Sequence, residues 1–231
     1  MMADHRRNNS QTCSSPPCFA HELSDAGQGF ETIDPQQWLD VMRWRKSTRI
    51  TMLAKRTVLS VEERGVLADR LGRHLVNFLL ARYASLAGHM ISGYWPIKSE
   101  LDLRSSLEIL RKHGANIALP VVVEKGKPLQ FYAWQNGDKM ERGFWNIPVP
   151  ALKKIVHPDI FLAPLVGWDH AGYRLGYGGG YFDRTLANDP SEKFVIGVGL
   201  QSTQVPTIFP QPHDIRLNAI LTEDGVQWCE E

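Results

Sequence analysis

Short apolar runs recur along this chain at intervals that leave room for a helix between them, and no other feature narrows the fold as far. The runs are "HMISGYW" at 89–95, "NIALPVVV" at 116–123, "IFLAPLVGW" at 160–168, "FVIGVGL" at 194–200 and "LNAILTE" at 217–223. Strands buried on both faces read as continuous apolar stretches rather than alternating ones, which suits a parallel sheet. Between the first two runs lies "DLRSSLEILRKHG" at 102–114, with Gly114 where a helix C-terminal glycine belongs. "PLQFYAW" at 128–134 is placed to form a hairpin with the preceding strand across "EKGK". The alternation predicts an α/β fold: a single three-layer domain.

Two helices are expected ahead of the sheet. Asp34 is a good N-cap with Pro35 at the first helical position, and Trp38, Val41, Met42, Met52 and Leu53 fall near one apolar stripe. Arg45 and Arg49, one turn apart, lie on or beside that stripe, so part of the pair should turn inward, where a basic pair needs an anion partner. "SVEE" at 60–63 is a capping box opening a second helix, whose Leu67, Leu71, Leu75, Phe78 and Leu79 supply a core face. His74 lies beside that face and reads as a core or boundary histidine.

Composition removes several function classes. With 26 Lys and Arg against 25 Asp and Glu, the net charge of +1 gives no global reason to bind nucleic acid or an anionic membrane. No stretch of 18 uncharged apolar residues exists, and the N-terminus lacks a signal-peptide core. Cys13, Cys18 and Cys229 are odd in number and do not read as a disulfide framework, so a cytoplasmic protein is expected. Residues 1–33, rich in polar residues and Pro, read as a disordered or loosely packed tail before a domain at 34–231. Cys13, Cys18 and His21 in that tail make three metal ligands without a fourth, a weak signal.

The chemistry concentrates in "RLGYGGGYFDR" at 174–184. Four glycines within five positions are entropically costly unless the backbone needs positive φ angles or a ligand lies against the main chain. The run is neither a Walker A loop nor a dinucleotide fingerprint. Arg174 precedes it, Arg184 follows it and a helix is expected to start near Tyr181, so N–H groups and guanidinium groups could converge on phosphates. Asp183 could then hold a Mg²⁺ bridging them. Asp169 in "GWDHAG" has two readings: a second carboxylate for the metal, or an Asp turn with Gly172. In α/β sheets ligands bind outside the carboxyl ends of the strands, where the loops carrying Glu100, Asp169 and the glycines should emerge.

These residues, with "LSVEER", "SELDL", "NIALPVV", "FWNIPVP", "FLAPLVGWD" and "HDIRLNAILTEDGV" in the same order over roughly 40–226, strongly resemble the 5-formyltetrahydrofolate cyclo-ligase family, also called methenyltetrahydrofolate synthetases. The resemblance implies a Rossmann-like three-layer α/β fold related to sugar-phosphate isomerases and CoA transferases. It also implies an ATP- and Mg²⁺-dependent conversion of 5-formyltetrahydrofolate to 5,10-methenyltetrahydrofolate, with release of ADP and phosphate. The folate, free or polyglutamylated, is then the partner, and a monomer is expected. Position by position, Arg45, Arg49 and Arg174 match ATP contacts, with Gly176, Gly178, Gly179 and Gly180 enclosing the phosphates. Asp183 matches a Mg²⁺ ligand, Glu100 a pterin-holding carboxylate, and Trp145 and Tyr181 aromatic folate contacts. Gly179 stands where some members carry a lysine that reaches the phosphates, a charge that Arg184 could replace. Two other readings remain: a non-catalytic relative that binds nucleotide or folate, and a ligase acting on another formamide-like metabolite. The acidic and basic set being intact favours the enzyme.

Overall fold

The computed structural model of the chain describes residues 35–188 and 191–230. The tail at 1–33 with Cys13, Cys18 and His21, and the cap at Asp34, lie outside the described residues. The chain divides into two units between Trp44 and Arg45. Residues 35–44 of the first form the leading part of helix α1 (Pro35–Thr57), where Trp38 and Met42 are exposed. The second unit begins at Arg45.

In that unit the inward face of α1 is basic rather than apolar. Arg45, Met52 and Arg56 are buried and Arg49 is half-buried, a spacing of three and four residues that includes one hydrophobic side chain. The apolar stripe expected along this helix is therefore corrected: guanidinium groups fill most of it, and their partners lie on the loops described below.

Helix α2 (Val61–Arg82) starts as expected. Ser60 Oγ accepts from the Glu63 N–H at 3.1 Å, and the Glu63 carboxylate accepts from the Ser60 N–H at 2.7 Å. Leu71, Leu75 and Leu79 are fully buried, each worth about 1.5–3 kcal/mol relative to exposure. His74 is half-buried at the boundary.

The strands follow as β1 (Met90–Ser92), β2 (Asn116–Val121), β3 (Gln130–Ala133), β4 (Met140–Arg142), β5 (Pro148–Pro150), β6 (Ile155–Val156), β7 (Ile160–Pro164), β8 (Gly167–Trp168), β9 (Arg174–Leu175), β10 (Phe194–Val198), β11 (Ala219–Thr222) and β12 (Gly225–Cys229). Eight form one sheet in the order β12-β11-β10-β7-β1-β2-β3-β6, while β4 with β5 and β8 with β9 make separate hairpins. The five central strands, β11 to β2, run parallel; at the edges β12 pairs antiparallel with β11, β3 with β2 and β6 with β3.

Side-chain alternation splits the core into two layers. Ile160, Leu162, Ile196, Ala219 and Leu221 pack with α2 and with α3 (Arg104–Lys112). Phe161, Ala163, Val195 and Ile220 face the other way, with Leu186 of α4 (Tyr181–Asn188). That is the three-layer arrangement the sequence predicts.

Helix α3 ends in a Schellman motif. Gly114 has φ +98°, its N–H bonds the Arg111 carbonyl at 3.0 Å, and the Ala115 N–H bonds the Leu110 carbonyl at 3.2 Å. At the other end of this helix Leu103 is the N-cap residue, and the Asp102 carboxylate before it accepts from the Arg104 N–H at 3.1 Å and also from its guanidinium. Strand β12 was not expected from the sequence, although Asp224 and Gly225, with φ +105°, form the Asp-Gly signature of a hairpin turn.

The chain leaves β1 toward β2 on one side and returns through β7 to β10 and β11 on the other, with α3 and α4 on opposite faces. The strand order thus reverses between β1 and β7, and the crevice outside their carboxyl ends is where such sheets bind ligands.

Candidate functional site

Three loops meet at that crevice: residues 93–103 after β1, 176–180 after the β8–β9 hairpin, and 199–214 after β10. A cavity between the strand ends is lined by Arg56, Tyr94, Glu100, Leu165, Val198 and Leu200, among others.

Glu100 sits at the end of a tight turn. The Glu100 N–H bonds the Ile97 carbonyl at 2.9 Å, and the two residues between have φ +46° (Lys98) and φ +60° (Ser99), left-handed values that side chains rarely adopt. Such strain, about 1–3 kcal/mol per residue, concentrates at functional sites. The Glu100 carboxylate accepts from the Ile97 N–H at 2.9 Å and from the Tyr177 hydroxyl at 2.9 Å, with Arg56 Nη1 4.0 Å away. Burial pushes its pKa up to about 6, against the pull of those two donors and of the Arg56 and Lys98 charges.

Arg56 was missed by the sequence reading. Its guanidinium donates to the Tyr177 hydroxyl at 2.8 Å and to the Leu165 carbonyl. The signal was the three-and-four spacing from Arg45 through Arg49 and Met52, continued one turn further. Tyr177 was missed because it lies inside the glycine run. Burial and the Glu100 charge raise its pKa, so it stays a neutral donor.

The glycine loop itself lies at the surface, with Gly178 and Gly179 exposed. Among the described residues, none of the backbone N–H groups of 176–180 has a hydrogen-bond partner. Gly178 and Gly180 have φ +94° and +63°, which accounts for two glycines. Gly176 has neither a positive φ nor any atom within 4 Å of where a Cβ would stand. At Gly179 a Cβ would meet the Tyr181 ring at 2.9 Å, so a side chain there requires the tyrosine to move.

The two arginines of α1 behave differently. Arg49 Nε donates to the Gly176 carbonyl at 2.7 Å, and its guanidinium runs beside Gly178; burial first, and the Arg45 charge second, lower its pKa. Arg45 turns instead to the 208–214 loop, donating to the Ile208 carbonyl at 3.0 Å, the Phe209 carbonyl at 2.8 Å and both oxygens of Asp214. The anion partner that the sequence demanded for Arg45 is Asp214, which the sequence reading did not single out because nothing in the spacing connects positions 45 and 214. Burial alone would raise the Asp214 pKa, but the bonds from Arg45 and the Gln211 N–H bring it below the usual carboxylate range.

Arg174 is buried, and its Nη2 lies 3.0 Å from Asp183 Oδ1 at the start of α4. Its Nη1 is buried without a hydrogen-bond partner among the described residues, a situation that native proteins avoid unless a ligand or water completes it. Arg184 donates to the Gly179 carbonyl and stacks 5.0 Å from the Tyr181 ring centroid, with its Nε likewise buried and unpartnered.

Trp145 stands at the tip of the β4–β5 hairpin, 60% exposed. It has φ +52° and ψ +26°, and Asn146 follows with φ +62°, as in the mirror-image turns that join hairpins. Its ring meets Tyr181 edge-to-face at 5.5 Å. Asp169 resolves its two readings toward the turn. Its buried carboxylate accepts from the N–H groups of Ala171, Tyr173 and Ile208, and Gly172 has φ +84°.

The family model for 5-formyltetrahydrofolate cyclo-ligases matches residues 41–223. The chain belongs to the 5-formyltetrahydrofolate cyclo-ligase family. It is an enzyme of the ligase class. Similar proteins include the 5-formyltetrahydrofolate cyclo-ligase of Mycolicibacterium smegmatis, 31% identical over 59% of this chain and 75% of that protein. That of Haemophilus influenzae is 31% identical over 64% and 81%. The solved structure of the Mycoplasma pneumoniae 5,10-methenyltetrahydrofolate synthetase superposes with a TM-score of 0.63 at 25% identity, covering 78% of this chain and 98% of that one. The cyclo-ligase fold expected from the resemblance is therefore the fold of this chain. Among the described residues, no helix is long and apolar enough to cross a membrane.

Proposed function

We propose that this chain, a cytoplasmic monomer, converts 5-formyltetrahydrofolate to 5,10-methenyltetrahydrofolate with Mg-ATP, releasing ADP and phosphate. The observation that carries the reading is the glycine loop: a run of unpartnered amides between Arg49 and Arg174, joined through Tyr177 to the buried carboxylate of Glu100.

The residues fit a polyphosphate. Arg49, Arg174, Arg184 and the amides of 176–180 would hold it, the orphaned Nη1 of Arg174 and Nε of Arg184 gaining acceptors. Arg45 serves the site indirectly, by fixing the 208–214 loop. For the metal, the described residues contain no group of three or more His, Cys, Asp and Glu side chains suited to an ion. Asp183 would therefore bind Mg²⁺ jointly with phosphate oxygens, which is the usual mode for this ion. Both protein contacts of its carboxylate, from Arg174 and the Ile215 N–H, fall on Oδ1.

ATP supplies a leaving group: phosphorylating the formyl oxygen removes the amide's resonance protection, so N10 can close the ring as phosphate departs. The chain's work is to orient and to stabilise charge. Glu100, ionised, accepts hydrogen bonds from the amino-pyrimidine edge, while Trp145 and Tyr181 offer aromatic surfaces for the flat rings.

Purified protein mixed with Mg-ATP and 5-formyltetrahydrofolate should generate the near-ultraviolet band of the methenyl product, and omission of either ATP or Mg²⁺ should abolish it. A protein that binds ATP yet yields no band would contradict the folate assignment.

A further inference from the structure

The glycine loop and the Glu100 turn are physically joined, and the joint is Tyr177. Its hydroxyl donates to Glu100 Oε1 at 2.9 Å and accepts from Arg56 Nη1 at 2.8 Å. Lys98, in the strained turn before Glu100, lies over the Tyr177 ring at 5.0 Å from its centroid. Helix α1 clamps both parts of the joint, since Arg49 holds the Gly176 carbonyl and Arg56 holds the hydroxyl of the next residue. Gly176 and Gly178 flank Tyr177, so the backbone on either side can swing, whereas the side chain is pinned at its tip.

We propose that Tyr177 is a positioning residue that couples the two halves of the site: phosphates engaging the 176–180 amides fix its backbone and hence the hydroxyl that holds Glu100 for a folate. The inference rests on the folate reading above. A group on one rigid side chain that contacts both subsites gives each ligand a differential effect on the other, and the coupling is reciprocal. The cavity beside Glu100 has a volume of only about 10 Å³, room for one water at most. A pterin edge that reaches the Glu100 carboxylate competes with the Ile97 and Tyr177 donors for its oxygens, and a nucleotide that fixes the loop alters that competition.

Glu100 is faced by Arg56 from α1, Tyr177 from the glycine loop, Lys98 from its own turn and Tyr94 from the loop just after β1. Of these, Tyr177 alone sits on the loop that would take the phosphates. Removing its hydroxyl deletes a donor to the charged carboxylate, which moves the Glu100 titration to higher pH.

Binding of 5-formyltetrahydrofolate is measured by calorimetry across pH 5–8, with and without Mg²⁺ and a non-hydrolysable ATP analogue, on wild type and Tyr177→Phe. In wild type the analogue should tighten folate binding on the order of tenfold and move the acidic limb of the affinity to lower pH. Tyr177→Phe should bind folate more weakly, show less than about twofold response to the analogue, and carry its acidic limb at higher pH. An unchanged response to the analogue in Tyr177→Phe overturns the coupling. Should that variant fail to fold, a wild-type limb that ignores the analogue overturns it equally. Absence of folate binding in wild type under every condition overturns the folate reading itself and the coupling with it, a result distinct from uncoupled binding.

Discussion

Arg174 and Asp183 form a 3.0 Å ion pair across the start of helix α4, with the arginine side chain 4% exposed and the aspartate 20%. The aspartate is thus the partner of a buried cation and also the only carboxylate placed for a metal by the proposal above. Asp183→Asn keeps the volume, weakens metal binding and leaves Arg174 short of a counter-charge. Turnover should fall by on the order of 10²–10³, with the Mg²⁺ concentration for half-maximal rate rising. Thermal denaturation should still report a cooperative fold. Steady-state rates over a Mg²⁺ series decide, and a wild-type rate at low Mg²⁺ would remove the metal role.

Arg45 and Arg49 look equivalent in sequence but should separate on mutation. Arg45 is buried against Asp214 and two carbonyls, and breaking a buried pair from one side costs about 3–5 kcal/mol. Arg45→Ala should therefore lower Tm by about 6–20 °C. Arg49 is half-buried beside the glycine loop, so Arg49→Ala should raise KM for ATP about 10- to 100-fold while Tm changes little. Parallel melting curves and ATP titrations check both. A reversed pattern would make Arg45 the phosphate ligand.

Glu100 gives the site a pH signature. Its pKa is raised to about 6 by burial, and the proposal requires the ionised form to accept from the folate. The kcat/KM for 5-formyltetrahydrofolate should then fall about tenfold per pH unit below about 6. The stability linkage has the opposite sense: because the folded pKa exceeds the ordinary carboxyl value of 4.5, the folded state takes up the proton more readily. Its contribution to stability is fully present below about 4.5 and is lost as pH rises through about 6. Glu100→Gln should weaken folate binding, flatten the acidic limb and remove that part of the Tm profile. A limb that survives in Glu100→Gln belongs to another group.

What the sequence revealed, and what it hid, follows from locality. The capping box at Ser60 and Glu63, the Schellman glycine at 114 and the central strands were legible because each is decided by neighbours in the chain or by a short period. The face of α1 was misread because the period identifies the inward side but not its chemistry. Arg45, Arg49 and Arg56 are tolerated inside only because Asp214, Gly176, Leu165 and Tyr177, more than 100 residues away, supply acceptors. Asp169 likewise had two readings until the Ile208 N–H, 39 residues on, showed what its second oxygen does. Glycine content alone left the 176–180 loop ambiguous. The backbone angles account for Gly178 and Gly180, and Gly176, with no demand from its own chain, is the glycine on which the phosphate proposal turns.

That contrast within the loop makes a last prediction. An alanine at Gly178 or Gly180 must adopt φ near +94° or +63° and bring its methyl to 3.4 Å from Arg49 Cζ or 2.8 Å from Arg184 Nη1. Each should destabilise the fold by about 1–2 kcal/mol, visible as a lower Tm. Gly176→Ala meets no atom within 4 Å and needs no left-handed backbone, so its Tm should stay within a degree or two of wild type. Its methyl would occupy the space a phosphate needs in order to reach the amides, and KM for ATP should rise about tenfold or more. Kinetics and melting on the three variants separate the two uses of glycine. An unchanged KM in Gly176→Ala would mean that phosphates approach the loop from its other end, nearer Gly179 and the start of α4.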